Sequence, residues 1–118
     1  MNAINLEQAE TVYNYLVEKN DFPESRLVIF GRSIGCAPAI HITSKFNPGG
    51  LVLVSPFSSI RKIADHFCCS GTSVLIKEKF LNIEKCKKCV CPCLLIHGVV
   101  DNLIPWTHSK LIYGSKLF

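Results

Sequence analysis

The chain has 118 residues, 48% of them hydrophobic and 19% charged, with 13 Lys and Arg against 9 Asp and Glu for a formal charge of +4. That composition suits one small globular domain: it is too apolar for a disordered chain and too short for two full domains. No apolar run approaches the roughly 20 residues of a spanning helix, and the basic excess, gathered at Lys77, Lys79, Lys85, Lys87 and Lys88, reads as a solvated surface rather than a nucleic-acid face.

The first residues lack the basic and apolar regions of a signal peptide, and Asn2 excludes a myristoyl glycine. Ser115-Lys116-Leu117 is followed by Phe118, so it is no terminal peroxisomal address, and the expected location is cytoplasmic. Without a secretory signal, the seven cysteines are expected to be thiols rather than a disulfide framework.

Along the chain, residues 6–19 place Ala9, Val12, Tyr13, Leu16 and Val17 on one helical face, with Asn5 and Gln8 spaced as a capping box. Asn20-Asp21-Phe22-Pro23 breaks the pattern, and 26–30 is an apolar run of strand length ending at Gly31. A second helix is expected over 34–45, with Pro38 near its first turn. After the turn Asn47-Pro48-Gly49-Gly50, the run 51–54 is continuously apolar, as in a parallel strand buried on both faces. Ser58 or Ser59 is placed to cap a third helix carrying Ile60, Ile63, Ala64 and Phe67, and the following stretch to Lys79 has no firm pattern. A short helix over 80–86, a strand over 93–96 and a last helix from Pro105 complete the order. Helices alternating with buried strands predict an α/β domain with a parallel sheet and helices on both faces.

Gly31-Arg32-Ser33-Ile34-Gly35 is a G-x-S-x-G sequence set between a strand and a helix, as a nucleophile elbow requires. A serine on so sharp a turn needs a strained backbone, and both glycines, Gly31 and Gly35, are expected to avoid collisions with the neighbouring strand and helix. The turn exposes the hydroxyl above the sheet and puts the Ile34 amide at a helix N-terminus, where it can donate to a developing oxyanion. Equally, Ser33 suits an ordinary helix N-cap. A second marker, Asp101, follows the strand 93–96 in His97-Gly98-Val99-Val100-Asp101, at the sheet edge where α/β proteins collect functional groups.

Gly31–Gly35 with Cys36-Ala37-Pro38, then Val54-Ser55-Pro56-Phe57, then the segment 94–109 resemble the α/β-hydrolase superfamily. Within it the sequence looks most like the α/β-hydrolase domain-containing 17 proteins, which are protein depalmitoylases, with the serine aminopeptidase S33-like hydrolases behind them. The resemblance implies Ser33 as nucleophile, Asp101 as triad acid and Ile34 as one oxyanion donor. The triad histidine is expected beyond this chain, in a strand and helix following the acid. By the same comparison, residues 1–118 form one incomplete domain, a partial α/β-hydrolase fold missing its N-terminal strands and its C-terminal strand and histidine loop.

Of the four histidines, His97 matches a structural His-Gly of the family. His108 follows Asp101 in the right order but too closely, and it is not expected to be the base. His41 and His66 fall on expected helices and are assigned to packing or surface. Cys86-x-x-Cys89-x-Cys91-x-Cys93 invites a zinc reading, but Pro92 marks the last two as the entry to an ordinary core strand, so thiols packed as small apolar groups are expected, as at Cys36, Cys68 and Cys69.

The expected function is serine hydrolysis of acyl esters or thioesters, including protein depalmitoylation, by the complete form, with the 118 residues alone inactive. The substrate class is an acylated small molecule or protein, with no metal, organic cofactor or nucleic acid. Peripheral membrane contact is compatible with this reading. The alternative is a catalytically inactive paralogue acting as a binding module.

Overall fold

In a computed structural model of the chain, the described residues are 4–59, 61, 63 and 82–115. Helix α1 (Ile4–Asn14) continues through a π-helical turn, Tyr15–Lys19, which Asn20 closes by donating its backbone N–H to the Tyr15 carbonyl at 3.2 Å. The helix already includes Asn5, so the expected capping box does not form there. Of the expected apolar face, Tyr13 is the anchor: it stacks on Phe46 with ring centroids 4.5 Å apart, and its hydroxyl donates to Glu24. Val12, by contrast, is exposed over a groove between α1 and the first strand.

Three parallel strands follow, β1 (Val28–Arg32), β2 (Gly50–Val54) and β3 (Cys93–Ile96), in spatial order β1-β2-β3. β1 starts and ends two residues later than the apolar run suggests. A 3-10 turn at Glu24–Arg26 occupies the front of that run, and Gly31 and Arg32 pair with Leu53 and Val54. Each strand returns through helical structure, α2 (Cys36–Lys45) after β1 and α3 (Asn82–Cys86) before β3, and α4 (Thr107–Ser115) closes the described chain. α4 begins two residues after Pro105, whose carbonyl accepts the His108 N–H at 3.0 Å. The helix expected over 58–67 falls mostly outside the described residues.

Side chains alternate across the sheet. Ile29, Leu51, Leu53, Cys93 and Leu95 pack with Ile40 of α2 and Ile112 of α4, and Leu53, Ile40 and Ile112 are fully buried. On the other face, Val28 (62% exposed), Phe30 (63%), Leu94 (55%) and Ile96 (47%) are bare among the described residues. The reading of strands buried on both faces, with helices on each, is therefore corrected for the described residues: the runs are apolar on both sides, but the described helices cover one. No described helix is long and apolar enough to cross a membrane.

Candidate active site at the carboxyl edge of the sheet

Parallel strands end together, so the residues that follow them share one edge. Arg32 pairs with Val54 and Val54 with Ile96, which sets Ser33, Ser55 and His97 in consecutive register just beyond the strands. Two of these three carry positive φ, 50° at Ser33 and 48° at Ser55, a conformation that L-residues other than glycine adopt rarely and at a cost of order 1–3 kcal/mol.

The Ser33 turn is forced by close packing. A Cβ on Gly31 would lie 2.8 Å from the Ala39 Cβ, the Cys36 Cα and the Gly35 carbonyl oxygen, so only glycine lets β1 run this close to α2. Gly35 differs from expectation. Its φ of −66° suits any residue, and a Cβ there would meet nothing within 4 Å among the described residues. Its steric role is thus withdrawn. Ser33–Gly35 forms a 3-10 turn leading into α2, which puts the Ile34 amide in the first turn of the helical stretch, where amides lack intrahelical partners and the dipole favours negative charge. Beside it lies an apolar cavity of about 260 Å³ lined by Ser33, Ile34, Phe57, Ile63, Leu103 and Ile104.

Asp101 is held by hydrogen bonds. Its Oδ1 accepts the backbone N–H groups of Leu103 and Ile104, both at 2.9 Å, and its own N–H donates to the Gly98 carbonyl at 3.1 Å. The Ile104 amide above all, then the Leu103 amide, the Ser55 side chain and the nearby His97 keep the carboxyl below its ordinary pKa despite partial desolvation. The residues whose amides grip Asp101 also line the cavity that Ser33 lines, so the two turns meet at one site.

Each described histidine is engaged away from Ser33. The buried His108 has Nδ1 accepting the Ser58 backbone N–H at 3.1 Å, 2.9 Å from the Ser58 Oγ. His97 has Nδ1 at 2.7 Å from Ser109 Oγ and Nε2 at 2.6 Å from the Ile104 carbonyl oxygen. His41 sits between Glu10 and the Lys85 ammonium. His66 lies outside the described residues.

Cys86, Cys89 and Cys91 are buried in the core beside α2, where Cys89 Sγ approaches Thr43 Oγ1 at 3.1 Å. Among the described residues no group of three or more His, Cys, Asp and Glu side chains is placed to hold a metal ion. The Cys36 thiol, directed at the Val54 carbonyl, is pushed up to about 12 by burial, so it is a packing group and no nucleophile. Cys68 and Cys69 lie outside the described residues. Sequence reasoning assigned no role to Ser55 or to the cavity-lining Phe57. A serine directly after an apolar strand run was the available signal, but Pro56 behind it argues for extended backbone.

No family model matches the chain. The α/β-hydrolase domain-containing protein aho-3 of Caenorhabditis elegans is 32% identical over 102 residues, 80% of this chain and 28% of that protein. An esterase domain from Rhodothermus marinus superposes with a TM-score of 0.73 at 12% identity, covering 98% of this chain and 54% of its own. A puromycin-hydrolyzing peptidase of Mycobacterium tuberculosis superposes with a TM-score of 0.75 at 17% identity, over 93% of this chain and 19% of its own. The chain thus spans well under half the length of the curated relatives it matches.

Proposed function

Starting from a chain of the α/β-hydrolase superfamily, with that superfamily's parallel sheet, we propose that it supplies the nucleophile and acid of a serine hydrolase of acyl esters or thioesters. The observation that carries this reading is Ser33 itself: a strained serine between strand and helix, backed by a glycine no other residue can replace, at the mouth of an apolar cavity. In this mechanism Ser33 Oγ attacks the acyl carbonyl and the Ile34 amide stabilises the oxyanion. Asp101 orients and stabilises the histidine that takes the serine proton and returns it to the leaving group. That histidine comes from outside the described residues, since His41, His97 and His108 are committed elsewhere. The apolar lining favours the acyl portion of a substrate, and protein depalmitoylation is the acylated-protein form of the same chemistry.

The second reading, a non-catalytic binding module, draws on the bare apolar face of Val28, Phe30, Leu94 and Ile96. A fluorophosphonate probe, applied to a complete form of the protein that carries the triad histidine, separates the two. Labelling lost in Ser33→Ala supports the hydrolase, whereas equal labelling of both proteins removes Ser33 from the mechanism. No labelling of either leaves the binding module standing.

A further inference from the structure

The loop that presents Asp101 is braced from behind by a side chain that the triad does not include. His97 directly follows β3 with its side chain almost fully buried, and its two ring nitrogens reach two different elements. Nε2 lies 2.6 Å from the Ile104 carbonyl oxygen, which can only accept, so Nε2 carries the proton. Nδ1 lies 2.7 Å from the Ser109 hydroxyl of α4, a group that can donate or accept. Both ring nitrogens are thereby engaged, and the orientation of the ring is fixed by its partners.

The Ile104 residue is gripped on both sides. Its carbonyl takes the His97 proton, while its N–H donates to Asp101 Oδ1 at 2.9 Å. His97 Nε2 also lies 3.7 Å from Asp101 Oδ2, so the ring spans the loop seven residues on and stands beside the carboxylate it holds in place.

We infer that His97, anchored by Ser109, is a positioning residue for Asp101: it sets the carboxylate by fixing Ile104, whose amide is one of the two that hold it. The inference rests on the hydrolase reading for its consequence in turnover, but not for its effect on Asp101. Without the His97 donor, the Ile104 carbonyl loses its partner, the 98–104 turn relaxes, and the Ile104 amide no longer points at Oδ1. The carboxylate then loses the hydrogen bond that most strongly favours its charged form.

The test follows the Asp101 carboxyl by carbon NMR titration in the full chain, alongside steady-state kinetics with an acyl ester in a complete form that carries the triad histidine. His97→Leu should raise the apparent pKa of Asp101 and lower kcat about a hundredfold, the scale on which an ångström of misplacement acts, with KM little changed. His97→Gln, whose amide can reach the Ile104 carbonyl, should restore both most of the way. Ser109→Ala, a milder change that leaves the core filled, should move the Asp101 titration the same way by a smaller amount, and it decides the matter if His97→Leu does not fold. An Asp101 titration unmoved in Ser109→Ala and in folded His97→Leu would overturn the inference, as would a purely KM effect. Failure of the hydrolase reading looks different: the titration shifts, but Ser33→Ala keeps whatever hydrolysis the wild type shows.

Discussion

Ser33 and Asp101 sit on two turns of one sheet edge, with the Ser55 turn between them, but are held there by different physics. Ser33 is placed by sterics: β1 runs so close to α2 that Gly31 has no room for a Cβ, and the chain escapes through a positive φ of 50°. Asp101 is placed by hydrogen bonds: two amides on Oδ1, with His97 bracing the residue that supplies one of them. A sterically placed group tolerates no added atom in its support, while one placed by hydrogen bonds tolerates changes of shape but not loss of donors. It also remains sensitive to protonation. The two turns should therefore fail in different ways.

The largest effect expected is at Asp101, the proposed acid. Asp101→Asn keeps the side-chain volume and one oxygen for the Leu103 and Ile104 amides, so the fold should survive. The charge that stabilises an imidazolium is lost, however, and turnover should fall on the order of a thousandfold or more. Circular dichroism unchanged beside that loss would support the assignment. An enzyme of near wild-type turnover would remove Asp101 from the triad.

On the Ser33 side, the corresponding change is one methyl group. Gly31→Ala puts a Cβ at 2.8 Å from the Cys36 Cα and the Gly35 carbonyl oxygen, both backbone atoms that no rotamer change can move. Overpacking of this kind costs about 1–3 kcal/mol, and the displaced turn should lose probe labelling at Ser33 as well. Urea unfolding and labelling together check this. A variant that is stable and labels normally would show that the turn is less tightly determined than its contacts indicate.

Much of this arrangement was legible in the sequence because it rests on local chemistry. A strand-length apolar run, a glycine-flanked serine and a second helical period are short-range signals, and they gave the strand-turn-helix and the order of elements. Three things were not legible, each for a physical reason. The continuous apolar run Leu51–Val54 suggests burial on both faces, yet among the described residues Leu51 and Leu53 are buried and Val52 and Val54 only in part, because burial depends on what else packs there. Gly35 looked obligatory because the motif contains it, although only the three-dimensional environment tells a crowded glycine from an open one. Ser55 precedes a proline, which favours extended backbone, so nothing local announces its φ of 48°.

The hydrogen-bonded turn has a signature that the steric one lacks, namely pH. The Asp101 carboxyl is held below its ordinary pKa in the native state, whereas in the unfolded chain it titrates in the ordinary carboxylate range. Its contribution to stability is therefore complete above the unfolded value and is lost as pH falls through the depressed native one. Denaturation of the wild type and Asp101→Asn at neutral pH and at progressively acid pH should show a gap that narrows below the ordinary carboxylate range. A gap independent of pH would mean that the amides recognise the oxygen and not its charge. Gly31→Ala, compared in the same way, should show a constant deficit.

The smallest effect expected is a gain, and it separates the two glycines of one motif. Gly35 has φ −66° and ψ −13°, which alanine adopts freely, and a Cβ there would meet no described atom within 4 Å. Gly35→Ala removes conformational freedom from the unfolded chain without adding strain to the folded one, a change worth about 0.4–1 kcal/mol of stability. The urea midpoint should rise with an unchanged denaturant slope, since no surface is newly buried or exposed. Labelling of Ser33 should persist, because the methyl group lies away from the cavity-lining side chains and leaves the Ile34 amide in place. A loss of stability approaching that of Gly31→Ala would mean that the space beside Gly35 is occupied by chain beyond the described residues. The close approach of β1 to α2 would then not be the sole steric restraint on the Ser33 turn.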